Sequence, residues 1–315
     1  MRISFIIPCF NAEKWIVETL NSVISQDGEF EKEIVVINDG STDNTEEIIK
    51  NNFSDVLITT TINQGASKAR NLGTSISTGE YIQYLDADDI LAENKITKQL
   101  KILSETNADI AYGNWQHYVE NEIGEFDKAL IVKKRITDPE IDLFSDFWCP
   151  PAAYLFKREI VEKVGGWNEQ LPVIQDARFV LDCALNGAEF YYLDEVVAYY
   201  RRFKSKSLSK NQKKFIWDCF NNALDIEKIW NNQGPLSKEK FDALNGCYEF
   251  VSRVSYIEDK SLHTQAYEKL LQYGINDSLI KKNASENFYL LKSMFGYKPA
   301  LFIHTLYGQC KKLIQ

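Results

Sequence analysis

The 315-residue chain predicts an α/β protein: a Rossmann-like, mostly parallel sheet flanked by helices, followed by an α-helical C-terminal region. Three observations carry that prediction. Apolar, strand-like runs alternate with amphipathic segments from the first residue to about residue 115. Polar and charged residues cluster directly after each apolar run. Beyond about residue 207 the strand signals stop and helical spacing takes over. Strands and helices alternating at this rhythm imply parallel strands joined by helical crossovers.

"RISFII" reads as the first strand, and Asn11 is placed to cap the helix in which Trp15, Ile16, Leu20, Val23 and Ile24 recur at helical spacing. "EIVVIND" is a second buried strand, stopped by Gly40, and "STDNTEEIIK" opens a helix with Asp43 and Glu46 spaced as a capping box. "DVLITT" is the third strand and "GASKARNLGTSI" the next helix. "EYIQYLD" is the fourth strand, "AENKITKQLKILSET" an amphipathic helix and "ADIAYGNW" the fifth strand. After residue 115 the pattern turns to shorter, mixed strands, with a helix at "QDARFVLDCALNG" and two strands around a turn in "AEFYYLDEVVAYYRRF". "KSKSLSKNQ" is a basic hinge, which sets expected domains of 1–207 and 208–315. Helices are expected at "FIWDCFNNALDIEKIW", "KEKFDALNGCYEFVSRVSYI", "HTQAYEKLLQYG" and "SENFYLLKSMF".

Composition narrows the function. A net charge of −9 argues against a nucleic-acid binder, which needs a basic face. The six cysteines include no CxxC pair and the three histidines are scattered, so no zinc site is expected and reduced thiols in the cytoplasm are. No apolar run approaches the ~20 residues of a membrane span. The opening apolar run breaks at Pro8 and reads as a strand, not a signal peptide.

In a sheet of this kind ligands bind at the carboxyl ends of the strands. There the chain places Pro8–Asn11, Asn38–Ser41, Asn63–Arg70 and Asp86–Asp89. In "LDADD", Asp86 and Asp88 lie two apart and converge in an extended chain, while Asp89 points away. Such a pair suits Mg²⁺ or Mn²⁺ completed by phosphate oxygens, or else a solvated turn. Asp39, before Gly40, either turns the chain or accepts from a nucleobase. Gly65 permits a close approach, and Lys68 and Arg70 near a helix N-terminus either hold an anion or lie on the surface.

"SFIIPCFNAEKWIVETLNSVISQ", "IVVINDGSTDNT", "NQGASKARNLG" and "GEYIQYLDADD", in that order and spacing, closely resemble the family 2 glycosyltransferases of GT-A fold, over about residues 1–205. The resemblance implies a nucleotide diphosphate sugar donor, UDP-linked by family habit. Pro8 and Phe10 would border the base, Asp39 would bind it, Arg70 would lie near base and ribose, Asp86 would face the ribose and Asp88 would ligate the metal. The family's common DDGS stands here as Asn38-Asp39-Gly40-Ser41. An inverting transferase needs one general base. The resemblance puts it at Asp176, in a Gln175-Asp176 pair where the family usually has Glu-Asp, and losing that neighbouring charge lowers the base's pKa. Trp167 in "GGWNE" and Trp148 in "WCPPAAYLF" either stack on an acceptor sugar or belong to the core. Arg201, Arg202, Lys204 and Ser207 either close over the diphosphate or form a basic linker.

Residues 281–315 hold six lysines against one glutamate, interleaved with Phe, Tyr, Leu and Ile. That pattern fits contact with an anionic membrane carrying a lipid-linked saccharide acceptor, a helix packed on the catalytic domain, or homodimerisation. Two other readings are a module that binds nucleotide sugar without turnover and a nucleotidyltransferase. The second lacks the glycine-rich loop such enzymes place after the first strand, since no glycine precedes Gly28. No GxGxxG occurs, which excludes a dinucleotide dehydrogenase.

Overall fold

The computed structural model describes residues 1–203, 211–276, 280–281 and 284–304. The chain forms two compact units, Met1–Lys210 and Asn211–Gln315. The expected hinge at 204–210, with Lys204 and Ser207, lies outside the described residues.

The first unit is built on one sheet flanked by helices. Strands β1 (Arg2–Cys9), β2 (Glu31–Asn38), β3 (Leu57–Thr60) and β4 (Tyr81–Tyr84) run parallel in the order β3-β2-β1-β4. Every residue of β1 after Arg2 is buried, as a strand covered on both faces requires. Helices α1 (Ile16–Ile24), α2 (Thr45–Asn52) and α3 (Ala66–Ile76) follow β1, β2 and β3.

Two expected caps do not form. Helix α1 starts after Trp15, and the Asn11 side chain instead accepts from the Thr42 amide at 2.8 Å. Asp43 accepts from the Glu13 amide at 3.1 Å, and Glu46 from the Asn38 side chain at 3.0 Å. Asn11 and Asp43 tie the loops after β1 and β2 to each other, Asp43 also accepts from the Thr45 amide at the start of α2 at 3.1 Å, and Glu46 ties α2 back to the end of β2.

Beyond β4 the sheet is mixed. It takes in β5 (Ile90–Leu91), β6 (Ile110–Glu120), β7 (Phe126–Val132), β8 (Tyr154–Lys157) and β9 (Phe190–Arg202), in the order β4-β8-β6-β9-β5 with β7 on β6. Only β6 and β9 pair in parallel here. The two strands expected over 190–203 are one strand. Its register against β6 shifts between Gly113 and Trp115, and this bulge absorbs Asp194 and Glu195, with the Asn114 amide on Asp194 Oδ1 at 2.9 Å. Helix α4 (Lys95–Glu105) packs on β6, β8 and β9. The remaining helices of this unit are α5 (Pro139–Ser145), α6 (Arg158–Val164) and α7 (Gln175–Leu185).

The second unit is helical: α8 (Gln212–Gln233), α9 (Lys238–Ser255), α10 (Lys260–Tyr273), α11 (Glu286–Phe295) and a further helical stretch over 297–304. Asn211, Ser237, Asp259 and Ser285 each cap one of the named helices, accepting from the amide three residues on. Glu227 joins α8, α9 and α10 by accepting from Tyr248 at 2.7 Å, Lys269 at 2.6 Å and Tyr273 at 2.9 Å. Among the described residues no helix is long and apolar enough to cross a membrane.

Candidate active site

The loops that leave β1, β2, β3 and β4 at their carboxyl ends build the site. Pro8 is buried in β1 and the next residues open outward, with the Phe10 ring 50% exposed at the rim. Asn38 shows why an Asp gives way here: its amide donates to Glu46, which a carboxylate could not do.

Asp39 is buried, and both of its oxygens are engaged. Oδ1 accepts from the Gln64 amide at 2.8 Å and Thr61 Oγ1 at 3.2 Å, and Oδ2 from the Gly65 amide at 2.7 Å. Asp39 therefore holds the loop into α3, and any base contact would use the lone pairs left over. Gly65 adopts φ +96°, in the left-handed region, with open space where a Cβ would stand.

One turn into α3, Lys68 is exposed and lies 3.9 Å from Glu169. Arg70 is the opposite case. It is 2% exposed, its Nη2 pairs with Asp86, and its guanidinium lies 4.3 Å over the Trp167 ring. Nε and Nη1 have no hydrogen-bond partner among the described residues, so the face of the Trp167 ring is what meets that charge. Trp167 itself is 4% exposed and stacked on Phe179 at 4.3 Å. That corrects its expected acceptor role: with Phe179 and Arg70 against its ring, Trp167 is a core residue supporting Arg70.

Asp86 to Asp89 form a turn closed by the Asp89 amide on Asp86 O at 3.0 Å, not an extended pair. Asp86 faces the site, with its side chain 31% exposed. Burial pushes the Asp88 carboxyl up to about 6, and the nearby charge of Asp86 adds to it. Asp89 is buried inward, accepting from the Arg201 amide at 3.0 Å.

Arg201 is displaced from its expected role. It is 4% exposed behind this turn, with Nη1 on the carbonyl of Asp88 at 2.6 Å and Nη2 on Glu18. Its guanidinium lies over Trp15 and Phe126. Arg201 thus braces the backbone of the carboxylate turn through Nη1 and is held from Glu18 through Nη2.

Asp176 opens α7. Burial raises its pKa, an effect opposed by a hydrogen bond from Trp148 and by the charge of Arg70. The Arg70 and Asp86 charges both act on Asp176, so Asp176 lies within electrostatic reach of the carboxylate turn. Gln175 is tied to Ser67 of α3, whose hydroxyl donates to its Oε1 at 2.6 Å. Trp148, expected at the acceptor or in the core, is partly buried, and its Nε1 donates to Asp176 Oδ2 at 2.6 Å.

Tyr200 was missed by sequence reasoning. Burial raises its pKa, and Asp89, Asp86, Asp176 and Asp88 all add to the shift, so the phenol stands among the four carboxylates. Its spacing within "AYYRRF" signals only a strand.

Among the described residues no group of three or more His, Cys, Asp and Glu is arranged to hold an ion. Asp88, whose ionised form is disfavoured by burial and by Asp86, suits a divalent cation that takes one protein carboxylate and completes its shell with phosphate oxygens and water.

Comparison with known proteins places these features in context. The family model described as glycosyl transferase family 2 matches residues 4–165. An uncharacterised glycosyltransferase of Haemophilus influenzae is 31% identical over 256 residues, 79% of this chain and 93% of that protein. The GalNAc(5)-diNAcBac-PP-undecaprenol beta-1,3-glucosyltransferase of Campylobacter jejuni is 24% identical over 301 residues, 93% of each chain. Longer proteins match in part: the chain spans 17% of an uncharacterised glycosyltransferase of Rickettsia bellii, 39% identical over 121 residues. The crystal structure of S. aureus TarS 1–349 in complex with UDP-GlcNAc superposes with a TM-score of 0.66 at 18% identity, covering 98% of this chain and 92% of that one. At that identity the likeness is one of fold.

Proposed function

The chain belongs to glycosyl transferase family 2, and from that premise we propose that it moves a single sugar from a UDP-sugar to a hydroxyl of a saccharide or lipid-linked saccharide, with inversion and with Mn²⁺ or Mg²⁺, in cell-surface polysaccharide synthesis. The observation that carries the reading is the Arg70–Asp86 pair at the strand ends, with Asp88 on the same turn and Asp176 within electrostatic reach of both partners. The UDP-GlcNAc complex of TarS supports the donor class, and the undecaprenol-linked glycan named for the C. jejuni relative supports the acceptor class.

In this reading Phe10 borders the nucleobase, Pro8 shapes the strand end beneath it, and Asp39 fixes the Gly65 loop at the α3 N-terminus. Asp86, held by Arg70, faces the ribose. Asp88 would ligate the divalent cation, which supplies positive charge to the departing diphosphate. Asp176 takes the proton of the acceptor hydroxyl as its oxygen attacks the anomeric carbon, and the electron pair of the broken bond leaves with the nucleoside diphosphate. With burial raising its pKa, Asp176 is a stronger base than a solvated carboxylate. The reading includes a cytoplasmic site of action and peripheral contact of the C-terminal helices with the anionic inner face of the cell membrane, where a lipid-linked acceptor lies.

The test is hydrolysis of a panel of nucleotide sugars with and without Mn²⁺. The expected result is slow, metal-dependent release of one nucleotide, lost in Asp88→Ala and reduced by roughly 10²-fold or more in Asp176→Asn. No release from any donor, together with no thermal shift by any nucleotide, would overturn the reading and leave the motifs a remnant, whereas a thermal shift without release would favour a module that binds nucleotide sugar without turnover.

A further inference from the structure

Among the described residues, the one side-chain hydrogen bond to Asp176 comes from 28 residues upstream. Trp148 Nε1 donates to Asp176 Oδ2 at 2.6 Å, the length of a strong, charge-assisted bond. The indole has little freedom to do anything else. Its ring meets the edge of Trp115 at 5.9 Å and 88°, and Tyr200 at 5.2 Å and 69°. The chain on its C-terminal side is stiff as well, with buried Cys149 followed by Pro150 at φ −64° and Pro151, which starts a 3₁₀ turn over Pro151–Ala153. Trp115 on β6 and Tyr200 on β9 belong to the parallel strand pair at the heart of this half of the sheet. The orientation of the indole is thus fixed by the sheet.

We propose that Trp148 is a positioning residue for the candidate base: its N–H occupies one oxygen of Asp176, leaving the other free for the acceptor hydroxyl, and holds the carboxylate plane fixed between acceptor-free and acceptor-bound states. The proposal rests on the reading of Asp176 as the base. A second consequence is electrostatic. Asp176 is faced by Arg70 from α3, Asp86 from the carboxylate turn, Cys149 and Tyr154 from the segment entering β8, and Tyr200 from β9. Burial disfavours its charged form, and the Trp148 N–H and Arg70 offset that burial. Removing the N–H therefore removes a group that favours the ionised form of Asp176.

Trp148→Phe retains an aromatic edge against Trp115 and Tyr200 and deletes the donor. A tryptophan analogue with sulfur in place of the ring N–H, incorporated at position 148, keeps the bicyclic shape and covers the case in which Phe packs poorly. For either form the measurement is transfer or donor hydrolysis as a function of pH, with donor KM and thermal unfolding alongside. The expected result is an acid limb of kcat displaced to higher pH by on the order of one unit, with donor KM within about twofold of the natural protein. Activity lost at low pH is recovered in part at high pH, a split that a purely structural role would not produce. An unmoved limb, or a loss equal at every pH, in a folded variant overturns the proposal. Asp176→Asn separates the two layers: if it is inactive and the Trp148 limb is unmoved, the positioning role alone fails. If it is as active as the natural protein, the base assignment fails and this proposal with it.

Discussion

At the residue scale, the most unusual side chain lies behind the site. Lys95 is 1% exposed, with Nζ donating to Gln83 and to the Tyr154 carbonyl at 2.8 Å, and no carboxylate is among its partners. Burial holds its pKa well below the ordinary 10.5, so the fold favours the neutral amine. Between the folded and unfolded pKa values the unfolded chain binds one more proton. Stability from this group therefore rises with pH across that window and levels off near 10.5. Urea midpoints of the natural protein and Lys95→Met, compared from neutral pH upward, should show this rise only in the natural protein; parallel curves would refute it. The sequence offers no hint of the effect, because Lys95 stands in "AENKITKQL" where a solvated helix start is the ordinary expectation. The same limit hid the inward turn of Arg201 and the partnership of Trp148 with Asp176. Residue type and local spacing are visible in a sequence, whereas which of two faces a long side chain takes is decided by elements far away in the chain.

At the element scale, α3 carries the chemistry because it sits close to the sheet. A Cβ on Gly73 would collide with Ile6 Cγ2 of β1 and meet Ile37 Cγ1 of β2 at 3.4 Å. Gly73→Ala should destabilise the protein by up to about 2 kcal/mol, an overpacking cost of ~1–3 kcal/mol less the ~1 kcal/mol that alanine gains over glycine in a helix. Arg70 lies one turn earlier, so nucleotide affinity should fall as well. A denaturation midpoint at or above that of the natural protein would show that the helix yields without cost. Elements of this kind were the legible part of the fold. The β1 and β2 runs are apolar on both faces and their helices periodic, so the parallel half of the sheet could be read directly. The strand β9 was misread because Leu193-Asp194-Glu195 has turn chemistry, and only its pairing with β6 converts that polar interruption into a bulge. The edge strand β7, FDKALIV, is exposed along most of its length, and its apolar residues run together without the alternation that marks a half-buried strand.

At the scale of the whole molecule, charge is unevenly distributed. The chain carries −9 overall, yet residues 281–315 hold six of its lysines and one glutamate. Helix α11 and the stretch over 297–304 bury Phe288, Tyr297, Ala300 and Leu301, and turn Leu290, Met294, Phe295, Phe302 and Ile303 outward. Lys298 and Lys281 lie over the Tyr267 and Tyr289 rings of the same unit. Apolar side chains among lysines suit an anionic lipid surface. The chain should sediment with vesicles containing phosphatidylglycerol, less so as salt is raised, and Leu290→Ser with Phe295→Ser and Phe302→Ser should abolish this without lowering the melting temperature. Equal partitioning of the triple variant would refute the membrane contact. Self-association lost in that variant, with no vesicle binding, would give the face to a second copy of the chain.

Four of the six tryptophans are engaged around the carboxylates: Trp15 beneath Arg201, Trp148 on Asp176 with Trp115 against its ring, and Trp167 beneath Arg70. Trp217 and Trp230 belong to the helical unit, the first bonded to Asp259 and the second buried. The molecule therefore contains its own optical gauge. Emission from the first group responds to whatever fills the pocket and to the ionisation of the acid that Trp148 touches, while the other two supply a steady background. Occupancy can be followed by light alone, with no dye attached and no turnover required.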